Sequence, residues 1–130
     1  MSNETEKSIP RKIVLCILAI LLVMSVVFGV YVNNYYHVDA SADAALQSDA
    51  LVMVTEQDGN WIFAPHEPVA GLIFYPGGKV ENTAYAPLLQ DLAADGVLCV
   101  LVKMPCNLAV LDMNAADGIA EKFPQIDSWY

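Results

Sequence analysis

Basic residues are scarce in this chain of 130 residues, which has 6 Lys and Arg against 15 Asp and Glu. From Asn33 onward we count three Lys, no Arg and thirteen carboxylates, a net charge of −10. Nucleic-acid binding needs a basic surface, so the balance argues against nucleic-acid partners. It also disfavours tight contact with anionic lipid headgroups.

Cysteine and histidine are also scarce. The three cysteines, Cys16, Cys99 and Cys106, form no disulfide framework, and a Cys99–Cys106 bridge would need the chain to fold back sharply. We expect His37 and His66 to be solvated surface residues, and Cys106, which has no companion histidine, to be an ordinary loop thiol. No His, Cys or Asp cluster has the spacing of metal ligands, so we expect neither a metal nor a cofactor.

One long apolar run is present, from Ile13 to Val32, and it contains no charged residue. As a helix it would span about 30 Å, the hydrocarbon thickness of a bilayer. Basic residues lie before it, within residues 1–12, and none follows until Lys79. The positive-inside rule therefore predicts a single-pass protein of the cell membrane. Residues 1–12 would be a cytoplasmic tail, residues 13–32 a transmembrane helix in the lipid bilayer, and the C-terminal domain extracellular.

A cleaved signal peptide is the alternative for this run, because Ala40 to Ala42 offers an A-x-A-like site. The run is longer than a usual signal h-region, and the polar stretch from Asn33 to His37 separates it from that site. We therefore favour an uncleaved signal anchor.

Residues 33–49 are expected to be a linker, in which Asp39–Asp49 is typical of a linker or a short exposed helix, and the folded domain is expected to cover residues 50–130. Its first two strands, Ala50–Thr55 and Asn60–Ala64, flank an Asp-Gly pair at positions 58 and 59. This dipeptide between two strands indicates a β-hairpin.

A βαβ unit follows the hairpin. We predict a buried strand over Leu72–Tyr75, a helix over Thr83–Asp95 and a second buried strand over Val97–Lys103. Asn82 or Thr83 is expected to cap the helix and Gly96 to end it. The inner face of the helix is expected to carry Ala86, Leu88, Leu89, Leu92 and Ala93.

The rest of the chain predicts a connector, a second helix over Ala115–Phe123 and the beginning of a third parallel strand at Ser128–Tyr130. The whole order indicates an α/β fold. Ligand sites in such sheets form at the carboxyl ends of the strands, where the Pro-Gly-Gly turn after Tyr75 lies. Lys103 also ends a strand; we expect it to reach solvent, with the mouth of a cleft as the alternative.

Three segments carry a resemblance to a known family: Phe74–Val80 (FYPGGKV), Leu101–Pro105 (LVKMP) and Asn107–Val110 (NLAV). Together they resemble the α/β-hydrolase superfamily and, more narrowly, bacterial membrane-anchored members related to dienelactone-hydrolase-type enzymes. The resemblance covers residues 35–130. It implies the N-terminal part of an α/β-hydrolase sheet, a hairpin followed by βαβα, preceded by one transmembrane helix.

The resemblance also implies a role for the loop of Gly77, Gly78 and Lys79. In that family the loop after the third strand supplies a backbone N–H of the oxyanion hole. Here Gly78 or Lys79 would donate to a small-molecule ester-type substrate, and the glycines would let the substrate oxygen approach closely. A tight strand-to-helix turn that simply needs glycine is the alternative.

The family's nucleophile lies in a G-x-S-x-G elbow after the next strand, and its acid and histidine come later. None of these three roles transfers to a residue of this chain, and Ser128 is not in an elbow. We therefore expect a fragment that is truncated before the elbow and is inactive, from a membrane-anchored hydrolase of ester-type substrates. The alternative is a non-catalytic membrane-tethered binding module or a degenerate hydrolase remnant.

Overall fold

The computed structural model describes residues 10–130. These residues belong to two compact units, one that ends at Asn33 and one that covers Asn34–Tyr130. The first unit contains helix α1, Arg11–Asn33, which includes the predicted span and is long and apolar enough to cross a membrane. Cleaved signal sequences share this property. Of the predicted tail, residues 1–9 lie outside the described residues.

Two polar side chains of α1 form hydrogen bonds to backbone carbonyls of the same helix. The Ser25 hydroxyl donates to the Leu21 carbonyl at 2.8 Å, and the Asn33 amide donates to the Gly29 carbonyl at 2.8 Å.

The second unit is built on a four-stranded sheet in the order β1-β2-β4-β3. Its strands are β1, Val52–Gln57; β2, Asn60–Pro65; β3, Ala70–Phe74; and β4, Val97–Leu101. The β1–β2 and β2–β4 pairs are antiparallel, and the β3–β4 pair is parallel. The predicted hairpin and βαβ unit are therefore confirmed.

The hairpin turn follows from its two central residues. Asp58 and Gly59 have φ of 54° and 82°. Positive φ at both central positions is the type I′ geometry, whose twist matches that of the flanking strands.

A further strand segment pairs with the outer edge of β3. Trp129 forms a parallel bridge with Gly71, and the N–H groups of Gly71 and Tyr130 donate to Ser128 and Gly71 carbonyls, each at 2.9 Å. The expected third parallel strand thus begins at this edge of the sheet.

Helix α3, Ala86–Ala94, crosses between β3 and β4 and begins later than predicted. The residues before it, Asn82–Tyr85, form a 3₁₀ turn, and the proline in the first α-helical turn fits that helix start. The cap prediction was wrong, because the Asn82 side chain accepts from the adjacent Thr83 N–H and caps neither segment. Gly96 ends the helix with φ of 96°, as predicted.

The inner face of α3 is confirmed for Ala86, Leu89 and Ala93, which are fully buried. Leu92 is partly buried against the same core. Leu88 is 50% exposed, so its assignment to the inner face was wrong.

The predicted second helix over Ala115–Phe123 is absent from the described structure. This stretch forms consecutive turns and one 3₁₀ turn at Ala120–Lys122. Gly118 lies in the middle with φ of 76°, a left-handed conformation that interrupts an α-helix. The last helix of the predicted βαβα order was therefore wrong, although Ile119 and Ile126 still bury their side chains.

Both faces of the sheet are covered. Phe63, Cys99 and Leu101 belong to a core cluster with α3, and Leu98 and Val100 belong to a second cluster with Ile119 and Ile126. Adjacent residues of β4 point to opposite faces, which explains why this strand is apolar without alternation.

The stretch after α1 is partly helical. Helix α2, Ala40–Ala45, begins after Asp39, whose carboxylate accepts from the Ser41 and Ala42 N–H groups. The Ser41 hydroxyl, which donates to the same carboxylate, and these two backbone bonds lower the pKa of Asp39 below its usual range. The short helix was expected, but it is not fully exposed, because Ala42 and Ala45 are buried.

Candidate functional site

The loop after β3 starts with a tyrosine whose hydroxyl is bonded twice. The Tyr75 hydroxyl donates to the Met113 carbonyl at 3.0 Å and accepts from the Ala116 N–H at 2.8 Å. Pro76, the next residue in the sequence, is buried, whereas Gly77 and Gly78 are exposed. The loop therefore leaves the sheet from a fixed base and presents its glycine backbone to solvent.

The three candidate N–H donors of this loop differ in their partners. The Gly77 N–H donates to the Tyr85 hydroxyl at 3.1 Å, and the Lys79 N–H donates to the Asn107 carbonyl at 3.0 Å. Within residues 10–130 the Gly78 N–H has no hydrogen-bond partner. Of the two expected donors, Gly78 and Lys79, the geometry leaves Gly78 available to a ligand.

Tyr85 shapes the loop from the side of α3. Its ring lies against Phe74 with centroids 4.9 Å apart, and a Cβ at Gly77 would lie 2.5 Å from its hydroxyl oxygen. Any larger residue at position 77 would therefore have to displace the Tyr85 hydroxyl. A Cβ at Gly78 would contact only Leu108 Cδ2, at an ordinary van der Waals distance of 3.7 Å. Sequence reasoning missed Tyr85, because nothing in the pattern distinguishes it from other residues at a helix start.

Three non-glycine residues around the loop have left-handed backbones. They are Lys79, with φ of 61°, and Cys106 and Asn107, each with φ of 53°. Such a conformation costs about 1–2 kcal/mol for an ordinary L-residue and less for asparagine. Lys79 and Asn107 are joined by the hydrogen bond described above, so the strained residues lie together. Strain of this kind concentrates at functional sites. Asparagine at position 107 was the only signal in the sequence.

A short extended segment holds the other side of the loop. The Tyr36 N–H donates to the Lys79 carbonyl at 2.9 Å, and the Glu81 N–H donates to the Tyr36 carbonyl at 3.0 Å. The Glu81 carboxylate accepts from the Val38 N–H at 3.2 Å and lies 3.6 Å from Nδ1 of His37. The His37 side chain is 69% exposed, as expected of a surface residue.

The thiols and the second histidine take no part in this arrangement. Cys99 is fully buried, and burial raises the pKa of its thiol to about 12. Cys106 is exposed, and neither it nor Cys99 is in a disulfide. The His66 ring lies 3.2 Å from the carbonyl of Ala50, a residue just before β1. No group of three potential metal ligands occurs in the part of the chain that the structure describes.

A cavity of about 350 Å³ opens beyond β4, the strand parallel to β3. Lys103 lines this cavity and is also exposed. Its side chain therefore reaches solvent, as expected, and also lies at the mouth of a cleft, which was the alternative. The Lys103 N–H donates to the Asn60 side chain at 2.9 Å. Asp58 and Asp112 also line the cavity, so it has charged groups of both signs.

Comparison with known proteins finds a family match for part of the chain. Residues 71–130 match the model of the alpha/beta hydrolase family. The matched stretch runs from β3 through the loop at residues 75–79, called here the glycine loop, and then through α3 and β4 to the last strand segment. No curated protein and no solved structure matches the chain.

Proposed function

We propose that the protein serves ester-type acyl hydrolysis and that its loop at residues 76–79 supplies an oxyanion donor, since residues 71–130 match the model of the alpha/beta hydrolase family. The narrower relation to dienelactone-hydrolase-type enzymes is part of the proposal. The observation that supports it most directly is the unpartnered Gly78 N–H, within residues 10–130, at the carboxyl end of a parallel strand.

The chemistry explains why that N–H matters. When a serine hydroxyl attacks an ester carbonyl, the carbonyl oxygen gains negative charge and becomes tetrahedral. A backbone N–H fixed at about 2.7–3.1 Å from that oxygen stabilises it, and losing one such donor costs about 3–4 kcal/mol of barrier.

The neighbours of Gly78 hold this donor in place. Tyr85 accepts from Gly77 and Asn107 accepts from Lys79, so the backbone on both sides is fixed before a substrate arrives. Glycine at 78 also leaves room for a substrate oxygen near its backbone. We assign no described residue as nucleophile, acid or base.

We also infer that α1 anchors the protein as a single pass, with the N-terminus in the cytoplasm and the domain outside. Two observations support this inference. The helix carries no charged residue from Ile13 to Val32, and the basic residues of the sequence before Lys79 all lie within residues 1–12.

Ester hydrolysis by membranes of the source cells tests the function. Membranes from cells with the gene intact should hydrolyse p-nitrophenyl butyrate faster than membranes from a deletion strain, and a serine-directed sulfonyl fluoride should remove the difference. Returning the gene at its own locus is the control. Equal rates in the intact and deletion strains would contradict the proposal.

A non-catalytic binding module is the second candidate. The observation in its favour is that the described residues contain no nucleophile bonded to a base: His37 neighbours Glu81, and His66 neighbours a backbone carbonyl. For the same reason we expect the purified 130-residue chain to give no turnover above buffer. Equal rates in the two strains, together with a cooperative melt of the purified chain, would favour this candidate.

A further inference from the structure

An apolar surface lies beside the glycine loop. Val110, Leu111 and Met113 are 70%, 50% and 75% exposed, although all three are large hydrophobic residues. They lie on and just after a 3₁₀ turn, Ala109–Leu111, which is held by the bond from the Leu111 N–H to the Leu108 carbonyl at 3.0 Å. We call residues 108–113 the apolar loop. Three large exposed apolar side chains thus lie within four positions of one loop, and large exposed apolar patches mark interaction surfaces.

Residues at both ends of the apolar loop contact the glycine loop. At its start, Asn107 accepts from the Lys79 N–H, and Leu108 is the nearest side chain to the position of a Cβ at Gly78. At its end, the Met113 carbonyl accepts from the Tyr75 hydroxyl. A molecule bound at the Gly78 N–H would therefore have an apolar surface beside it.

The N-terminal end of the domain meets the same place. Tyr36, two residues into the unit that begins at Asn34, is bonded to Lys79 and Glu81, and its side chain is 79% exposed. Asn34, Tyr35, Tyr36 and Lys79 line a cavity of about 240 Å³ there. Tyrosines are typical of the membrane–water interface, and the apolar segment of the chain immediately precedes these residues in sequence.

We propose that this edge of the domain lies on the lipid surface, with Val110, Leu111 and Met113 inserted among the lipids, and that the site takes amphiphilic esters directly from the bilayer. The aliphatic chain of such a substrate would lie along the apolar loop and its ester group would reach Gly78. The substrate class rests on the proposed ester hydrolysis, whereas the membrane contact does not. A zwitterionic surface fits best, because the domain carries a large negative charge.

Depth-dependent quenching tests the contact without any assay of hydrolysis. The full chain, with Cys16→Ser and Cys106→Ser, is placed in phosphatidylcholine nanodiscs and labelled with the NBD fluorophore through Leu111→Cys or, as the matched control, Asp91→Cys on α3. Both positions are exposed, so neither change opens the core. Cys99 is buried and should stay unlabelled.

The expected result is a blue-shifted emission for the Leu111→Cys label and loss of most of its intensity with doxyl-labelled lipids, while the Asp91→Cys label shows neither. Equal quenching at the two positions, or none at either, would overturn the proposal. Burial of this surface by a second copy, detected as a disulfide dimer of the unlabelled Leu111→Cys variant, would also overturn it. If esterase activity proves absent but the quenching is as expected, the proposed function fails and the membrane contact stands.

Discussion

Single residues set the geometry of the glycine loop. Tyr85 provides the oxygen that accepts the Gly77 N–H, and Asn107 provides the carbonyl that accepts the Lys79 N–H. The sequence pattern could identify the glycines, because a Pro-Gly-Gly turn after a buried strand is a local signal. It could not identify their partners, because Tyr85 and Asn107 reach the loop only once α3 and β4 have packed.

The cysteines of the domain should differ sharply in reactivity. A thiol with a pKa of about 12, raised from 9.0 by burial, is almost entirely protonated at pH 8, and the thiolate is the reactive form. In a Cys16→Ser background, a disulfide reagent should modify Cys106 quickly and Cys99 only on unfolding. Rapid modification of two thiols in the folded protein would contradict the burial of Cys99.

The same pKa shift determines whether the stability of the fold rises or falls with pH. The folded-state pKa of Cys99 lies above the unfolded value, so the stability associated with its neutral thiol is fully present below pH 9.0 and is lost between there and about 12. Cys99→Ala removes this titrating group, so the stability of the variant should fall less steeply over that pH range in urea unfolding.

At the scale of elements, hydrophobic periodicity identified most strands and the crossover helix. It failed where one residue's backbone overrides the pattern: Gly118 interrupts the apolar residues around Ile119, which then reach the core from turns. It also failed at the start of α3, where Asn82–Tyr85 adopts 3₁₀ geometry before the proline-containing first turn.

The last strand segment should depend on Gly71. A Cβ there would lie 2.5 Å from Cε3 of Trp129, so Gly71→Ala must displace the indole and should lower the free energy of unfolding by about 1–3 kcal/mol. Gly78→Ala, whose Cβ has an ordinary contact at 3.7 Å, is the matched control and should change stability little.

A double-mutant cycle identifies the cause of that loss. In a Trp129→Ala background the Gly71→Ala change should cost much less, because the clash partner is gone. An unchanged cost in both backgrounds, measured by chemical denaturation, would show that Trp129 does not pack on Gly71.

At the scale of the whole molecule, the chain joins a helix suited to a bilayer to an acidic α/β domain whose glycine loop adjoins an apolar surface. Hydropathy and charge identified the first two properties, because both are sums along the chain. The third depends on which loops meet at the ends of β3 and β4. It was therefore not visible in the sequence, where the glycine loop and the apolar loop are about thirty positions apart.

The central claim is that the Gly78 N–H stabilises the oxyanion, and two variants at that residue test it most directly. Gly78→Pro removes the N–H, whereas Gly78→Ala keeps it. Both are introduced at the native locus, and hydrolysis of p-nitrophenyl butyrate by membranes is measured relative to the deletion strain, with protein levels matched by immunoblot. We predict that Gly78→Pro lowers the rate by about 100- to 1000-fold and that Gly78→Ala leaves it within a few-fold of the unmodified protein. Rates that fall equally in both variants, or in neither, would contradict the claim.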